Sequence, residues 1–174
     1  MGSSDKSVAR FFPLNIKVES VLGLLNALYN TFNKHADIFA LANHFDLDAD
    51  DLLPLLSVIE LLGFSLIQGG DVILTPQGEK FLNASSNLKR QILREKIKEI
   101  EPFKTSISLL KEVKEAKIED IAEELRKLGY PEVNEFAFLE KLTNTLMEWG
   151  VYTGIMRYSS ESRSFKLNEK VFKS

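Results

Sequence analysis

The stretch from Asp46 to Thr75 most constrains what the chain can fold into. Leu52, Leu55, Leu56, Ile59 and Leu62 recur at three- and four-residue steps, the period of a helix with one buried face, and the stripe stops at Gly63, a natural left-handed helix end. Phe64-Ser65-Leu66-Ile67 and Val72-Ile73-Leu74-Thr75 then form two short β-prone runs around Gly69-Gly70, a hairpin signature. A helix must therefore hand over at once to a two-stranded ribbon. Pro54 bears on where that helix begins. With Asp51 as the cap it would lack only an amide that has no intrahelical partner, whereas a start at Asp48 places it where it kinks the helix. The expected start is residues 49–52.

Two helices precede this element. Val21, Leu22, Leu25, Leu28, Tyr29 and Phe32 share one face of a helix from Val18 to about Asn33. Asp37 can cap a second helix of barely two turns, through Ile38, Leu41 and Ala42 to Asn43 and His44. Three helices followed by a hairpin is the order of a winged helix. Sliding the chain against itself by 87 residues places Leu55, Ile59, Leu62, Gly63 and Phe64 on Leu142, Leu146, Trp149, Gly150 and Val151, so the unit recurs. The second copy predicts helices at about 104–115, 118–129 and 134–149, the last with Phe136, Leu139, Leu142, Leu146 and Trp149 on one face. Its hairpin would pair 151–156 with 164–167 around Ser159-Ser160-Glu161-Ser162. Between the copies, residues 76–100 read as one or two helices broken at Asn83–Asn87.

The expected fold is therefore mainly α with small β-hairpins (α+β): two winged-helix-like lobes bridged by connecting helices. Residues 1–12 read as a disordered leader or linker remnant, 13–85 as the first lobe, 86–103 as the connecting helix and 104–174 as the second lobe. With 44% hydrophobic residues in 174, a packed core can form. No apolar run reaches the ~18 residues of a membrane span, and the start lacks a signal-peptide pattern. The absence of cysteine excludes disulfides, thiolate metal sites and a cysteine nucleophile, in keeping with a reducing cytoplasm.

Catalytic chemistry finds no foothold. Asp46, Asp48 and Asp50 match the first ligands of a calcium loop, but the turn glycine is replaced by Asp51 and the bidentate glutamate by Ser57. These acids read instead as solvated residues at a helix N-terminus. Gly63-Phe64-Ser65 lacks the second glycine of a nucleophile elbow. Neither a phosphate-binding loop nor a dinucleotide fingerprint occurs. His35 and His44 stand nine residues apart without a helical His pair, and acids such as Glu123-Glu124 or Glu99 and Glu101 point apart on their helices. No catalytic residue, cofactor or metal is expected.

Charge decides among the binding functions. The chain carries a net charge of -3, and residues 36–85 hold eight acids against Lys80 alone. A phosphate backbone would be repelled by a third helix that begins with three aspartates. The second hairpin is more basic, with Arg157, Arg163 and Lys166, although Glu135, Glu140 and Glu148 accompany Lys141 on its third helix. Arg90, Arg94 and Lys98 recur at i, i+4 and i+8, opposite the mean direction of Leu88, Ile92, Ile97 and Ile100. They form a candidate partner-docking ridge; the alternatives are a solvated face or an intrachain partner for the acidic lobe.

Asp50-Asp51-Leu52-Leu53-Pro54-Leu55, Glu60-Leu61-Leu62-Gly63-Phe64 and Gly70-Asp71-Val72-Ile73-Leu74-Thr75, with Gly78 and Phe81, resemble the AAA-associated C-terminal domain. That domain follows the ATPase module in some nitrate/sulfonate/taurine-type ABC transporter ATP-binding subunits. The likeness extends from near Pro13 through Leu24-Leu25, Asp37–Ala42 and Lys89-Arg90 to Glu148-Trp149-Gly150. The resemblance implies a cytoplasmic accessory domain, peripheral to the inner membrane through its transporter. It brings no catalytic residues, and makes Leu52, Leu53, Pro54, Leu62, Gly63 and Phe64 a scaffold motif. The chain has neither the phosphate loop nor the signature sequence of the ATPase, so it looks like an excised domain or a stand-alone relative.

The expected function is a non-catalytic regulatory module of an ABC importer ATPase subunit, acting by protein contact. Its partners would be the ATPase module or the permease, with a homodimer as a further option, DNA disfavoured and no direct membrane insertion. The alternative is a winged-helix transcription regulator that binds DNA weakly through the second wing.

Overall fold

In the computed structural model, which describes residues 10–172, the chain is α+β, with two small three-stranded antiparallel sheets. It divides into two compact units. One is 15–93; the other joins 94–172 to the amino-terminal residues 10–14. The boundary falls between Leu93 and Arg94, inside a helix.

In the unit 15–93, α1 (Val18–Asn30) is followed by β1 (His35–Asp37), α2 (Ile38–His44), α3 (Ala49–Leu61), β2 (Ser65–Gln68), β3 (Asp71–Leu74), α4 (Pro76–Leu82) and the start of α5 (Ser86–Ile97). Asp37 caps α2 as expected, its carboxylate accepting from the Phe39 and Ala40 amides at 2.8 and 3.1 Å. Ser85 Oγ, in the expected break, accepts from the Leu88 amide at 3.2 Å. Val21, Leu24, Leu25 and Leu28 of α1 are buried, as are Leu41, Leu52, Leu56, Ile59 and Val72. Phe64 and Phe81 stack at 4.5 Å. The sheet order is β1-β3-β2, and β1 is an addition to the expected hairpin.

Helix α3 begins within the expected window but by the route that argued against it. Asp48 is the cap and Pro54 lies inside the helix. The carbonyl that Pro54 leaves unmatched belongs to Asp50, an exposed residue where water can serve as donor. At the other end Gly63 adopts φ +77°. The Phe64 amide reaches back to the Ile59 carbonyl at 2.9 Å, a left-handed closure that leads straight into β2.

The second unit has α6 (Phe103–Val113), β4 (Glu115–Lys117), α7 (Ile118–Leu128), α8 (Phe138–Thr145), a π-helical turn (Leu146–Val151), β5 (Met156–Ser159) and β6 (Ser164–Leu167), in sheet order β4-β6-β5. The same sequence of helix, strand, two helices and hairpin thus recurs. Three expectations change here. Residues 1–9 of the expected leader lie outside the described residues, but Phe12 is fully buried: its ring packs edge-on against Phe103 and Trp149, at 5.3 and 4.9 Å between centroids. Its amide bonds to the Glu101 carbonyl at 2.7 Å, and the Tyr130 hydroxyl donates to its carbonyl.

The last helix also starts later than expected, at Phe138 after Ala137 in the left-handed region at φ +60°, which leaves Phe136 94% exposed and off the buried face. Finally, Val151 belongs to the π-helical turn and not to a strand. Helix continues through Gly150, which is a glycine because a Cβ there would lie 2.9 Å from Met156 Sδ, and the Thr153 hydroxyl donates to the Trp149 carbonyl at 2.6 Å. Gly154, at φ +81°, stands two residues before β5 as Gly63 stands before β2. The repeat register of 87 is therefore one helical turn short for the hairpins.

Candidate functional site

The scaffold motif builds the corner between α3 and β2. Leu52, Leu62 and Phe64 are buried, Gly63 makes the turn, Pro54 is half-buried and Leu53 is 48% exposed. Asp46, Asp48, Asp50 and Asp51 stand exposed at the start of α3, and His35 Nε2 lies 2.9 Å from Asp71 Oδ2. Among the described residues no group of three or more His, Asp or Glu is placed to hold a metal ion.

The basic ridge does not present three equivalent cations. Arg90 is exposed. Arg94 is half-buried, and its Nε donates to the carbonyl of Thr153 at 2.8 Å, which engages that guanidinium within its own unit. Lys98, one residue past the end of α5, pairs with Glu95 at 2.6 Å.

A denser basic surface forms where α6 meets the sheet of the same unit. Lys111 and Lys114 stand at the C-terminal end of α6, where cations offset the negative end of the helix dipole. Lys114 turns the chain into β4 at φ +71°. Antiparallel register then sets Glu115 opposite Lys166 and Lys166 opposite Arg157. Side chains alternate across a strand, so these three share the outer face. The next register, Ala116 with Phe165, faces the core, where both are buried. Beyond β6 the chain doubles back at Asn168, whose Oδ1 accepts from Arg157 Nη2 at 3.4 Å and from the Lys170 amide at 3.2 Å.

The result is a cleft of about 1030 Å³. Leu110, Leu167, Val171 and Phe172 supply its apolar lining, and Lys111, Lys114, Arg157, Lys166 and Lys170 its positive charge, with Glu115 and Glu169 as the opposing acids. Lys111 Nζ lies 5.5 Å from the Phe172 ring centroid, within cation–π range. Glu115 is already committed: it accepts from the Ser164 hydroxyl, from Ser162 at 3.3 Å, and pairs with Lys166 at 3.7 Å. The Ser164 bond above all holds its carboxyl below the usual carboxylate value.

Of the basic residues singled out on the second hairpin, Arg157 and Lys166 come together in this cleft, while Arg163 lies in the hairpin turn at φ +52° and is not part of the lining. Lys111, Lys114 and Lys170 were not marked by any sequence pattern. Their only signal is two lysines three apart at the end of an amphipathic helix, and that says nothing of a sheet beside them.

No helix among the described residues is long and apolar enough to cross a membrane. No curated protein and no solved structure matches the chain. One family does: its match runs over residues 39–159, from α2 through β5, and so takes in the scaffold motif, the first hairpin and the first strand of the second. With well over half of its 174 residues inside that match, the chain belongs to the family described as the C-terminal AAA-associated domain.

Proposed function

We propose that the chain is a non-catalytic regulatory and interaction domain of an ABC importer ATPase subunit of the nitrate/sulfonate/taurine type, acting by protein–protein contact with the ATPase module or the permease. The observation that carries this reading is the family match, which spans the scaffold of a domain that accompanies an ATPase. The mechanism is a difference in affinity. Docking biases the ATPase only if the domain binds one of its conformations more tightly than the other. A cytoplasmic domain held at the inner membrane through its transporter fits this role.

Arg90, the exposed member of the ridge, is the docking position to vary, while Arg94 bonds to Thr153 and Lys98 pairs with Glu95. The test is capture of partners by the tagged 174-residue chain from a detergent-solubilised lysate of its native host, identified by mass spectrometry. Recovery of an ABC ATPase or its permease, reduced by Arg90→Glu, supports the reading. Recovery of transcription proteins and nucleic acid instead removes it.

A second reading is favoured by the cross-strand pair of Arg157 and Lys166, two cations on the second hairpin. A transcription regulator using that surface would bind duplex DNA at about 50 mM salt and lose it steeply as salt rises. Flat anisotropy of labelled duplex at that salt eliminates it.

A further inference from the structure

We propose that the cleft beside β5 and β6 is a binding site for a phosphorylated small molecule that also carries an apolar or ring portion. The inference concerns a ligand of the second unit and stands independently of the regulatory reading. Three observations carry it. The first is charge. Five cations and two acids line the cleft, and with Glu115 and Lys166 paired to each other, Lys111, Lys114, Arg157 and Lys170 stand against Glu169 alone. The second is register. Arg157 lies directly opposite Lys166, and like charges placed directly across two strands destabilise a sheet. Glu115 offsets the charge of Lys166 from the β4 side at 3.7 Å, and an anion seated on the Arg157 side would offset what repulsion is left.

The third is the lining. Leu110, Leu167, Val171 and Phe172 give an apolar patch against which a ring can pack, and the volume of about 1030 Å³ is of the order of a small-molecule site, about 300–1,000 Å³. Shape and spacing favour this ligand over a macromolecule. The lining comes from the end of α6, the strands β4, β5 and β6, and residues 169–172, a footprint of small-molecule size and not that of a DNA duplex. The Arg157–Lys166 pair spans one strand spacing, about 5 Å, which suits the concentrated charge of a phosphate better than carboxylates strung along a peptide. The guanidinium fork of Arg157 adds paired donors for phosphate oxygens.

The test is isothermal titration of the full 174-residue chain at about 150 mM salt, where screening suppresses loose surface attraction. The probes are ATP, inorganic pyrophosphate, poly-glutamate and a short DNA duplex. ATP binding more tightly than pyrophosphate, weakened about tenfold or more by Arg157→Gln and by Lys166→Gln but unchanged by Arg163→Gln, supports the site. Fluorescence of Trp149, the only tryptophan, confirms that each variant keeps its fold, and Lys170→Gln gives an independent lining position if one of the strand variants fails to fold. The proposal is overturned if ATP shows no binding, if pyrophosphate binds as tightly as ATP, or if Arg163→Gln weakens binding as much as Arg157→Gln. It is also overturned if poly-glutamate or duplex DNA binds more tightly than ATP. Partner capture in the preceding test is read separately, so either idea can fail alone.

Discussion

Arg94 donates from Nε to the backbone carbonyl of Thr153 at 2.8 Å, so a guanidinium from the last turn of α5 closes the irregular chain that runs from the π-helical turn into β5. Thr153 is fully buried, and a buried carbonyl that loses a charged donor costs about 1–3 kcal/mol. Arg94→Ala should therefore lower the unfolding free energy by about that amount, measured by urea denaturation followed through Trp149. Arg90→Ala, at an exposed position on the same helix where a polar contact is screened by water, should change it by less than Arg94→Ala does. Equal effects at the two positions would show that the bond to Thr153 contributes nothing.

Phe12 should behave as a core residue although it sits in a polar stretch of sequence. Its ring is fully buried against Phe103 and Trp149, and truncating a buried phenylalanine costs about 3–5 kcal/mol. Phe12→Ala is expected to cause a loss of that size, with a changed Trp149 emission in the folded state because the indole loses an edge-on neighbour 4.9 Å away. Phe136→Ala, at 94% exposure, should leave both stability and emission unchanged. An unaltered midpoint for Phe12→Ala would place residues 10–14 outside the folded unit.

What could be read from the sequence followed from periodicity. Helices α1, α2 and α3 and the first hairpin were legible because their apolar residues recur at a regular step and a boundary carries its own signal, as Asp37 does at the start of α2 and Gly63 after α3. Strands β1 and β4 were not, since each has three residues with one buried alanine, Ala36 or Ala116, and that makes no alternating pattern. Phe12 was missed for the same reason: its partners lie about 90 and 140 residues away, and no local step announces them. Gly150 read as a helix stop because glycine usually is one, but here it makes room for Met156. The ridge shows what helical spacing leaves out. It puts Arg90, Arg94 and Lys98 on one face and cannot reveal that a carbonyl 59 residues on claims Arg94. The cleft was only half legible, because Arg157 and Lys166 belong to a visible hairpin while Lys111 and Lys114 join them through the pairing of β4 with β6.

Two glycines in helices should respond with opposite signs. At Gly78, in the first turn of α4, an added Cβ would lie 2.3 Å from the Phe64 carbonyl oxygen and 2.7 Å from a Leu74 methyl, so backbone would have to move. Gly78→Ala should destabilise the unit 15–93 by about 1–3 kcal/mol, the usual cost of overpacking. At Gly23, inside α1, nothing lies within 4 Å of the new methyl. Gly23→Ala should stabilise by about 0.5–1 kcal/mol through helix propensity and a less free unfolded chain. Thermal unfolding followed by circular dichroism reads both, and a stabilising Gly78→Ala would mean that α4 does not pack against Phe64 and Leu74 as closely as described.

The pH dependence should carry two opposed carboxylates of the second unit. Glu132 is raised above its usual value of 4.5, chiefly by burial, with the Leu14 amide bonded to it at 3.3 Å pulling the other way. Its folded form holds the proton more tightly than the unfolded chain, so its contribution is full below about pH 4.5 and is lost as pH rises through the folded pKa. Glu115 is lowered, chiefly by the Ser164 hydroxyl, so its contribution is present above about pH 4.5 and is lost as pH falls through the folded pKa. Glu132→Gln, which keeps an acceptor for Leu14, should therefore gain stability relative to the unaltered chain as pH rises from about 4 to 7. Glu115→Gln should lose stability relative to it over the same rise. Urea unfolding at several pH values measures both differences, and a pH-independent difference for Glu132→Gln would mean that its carboxyl is not shifted by folding.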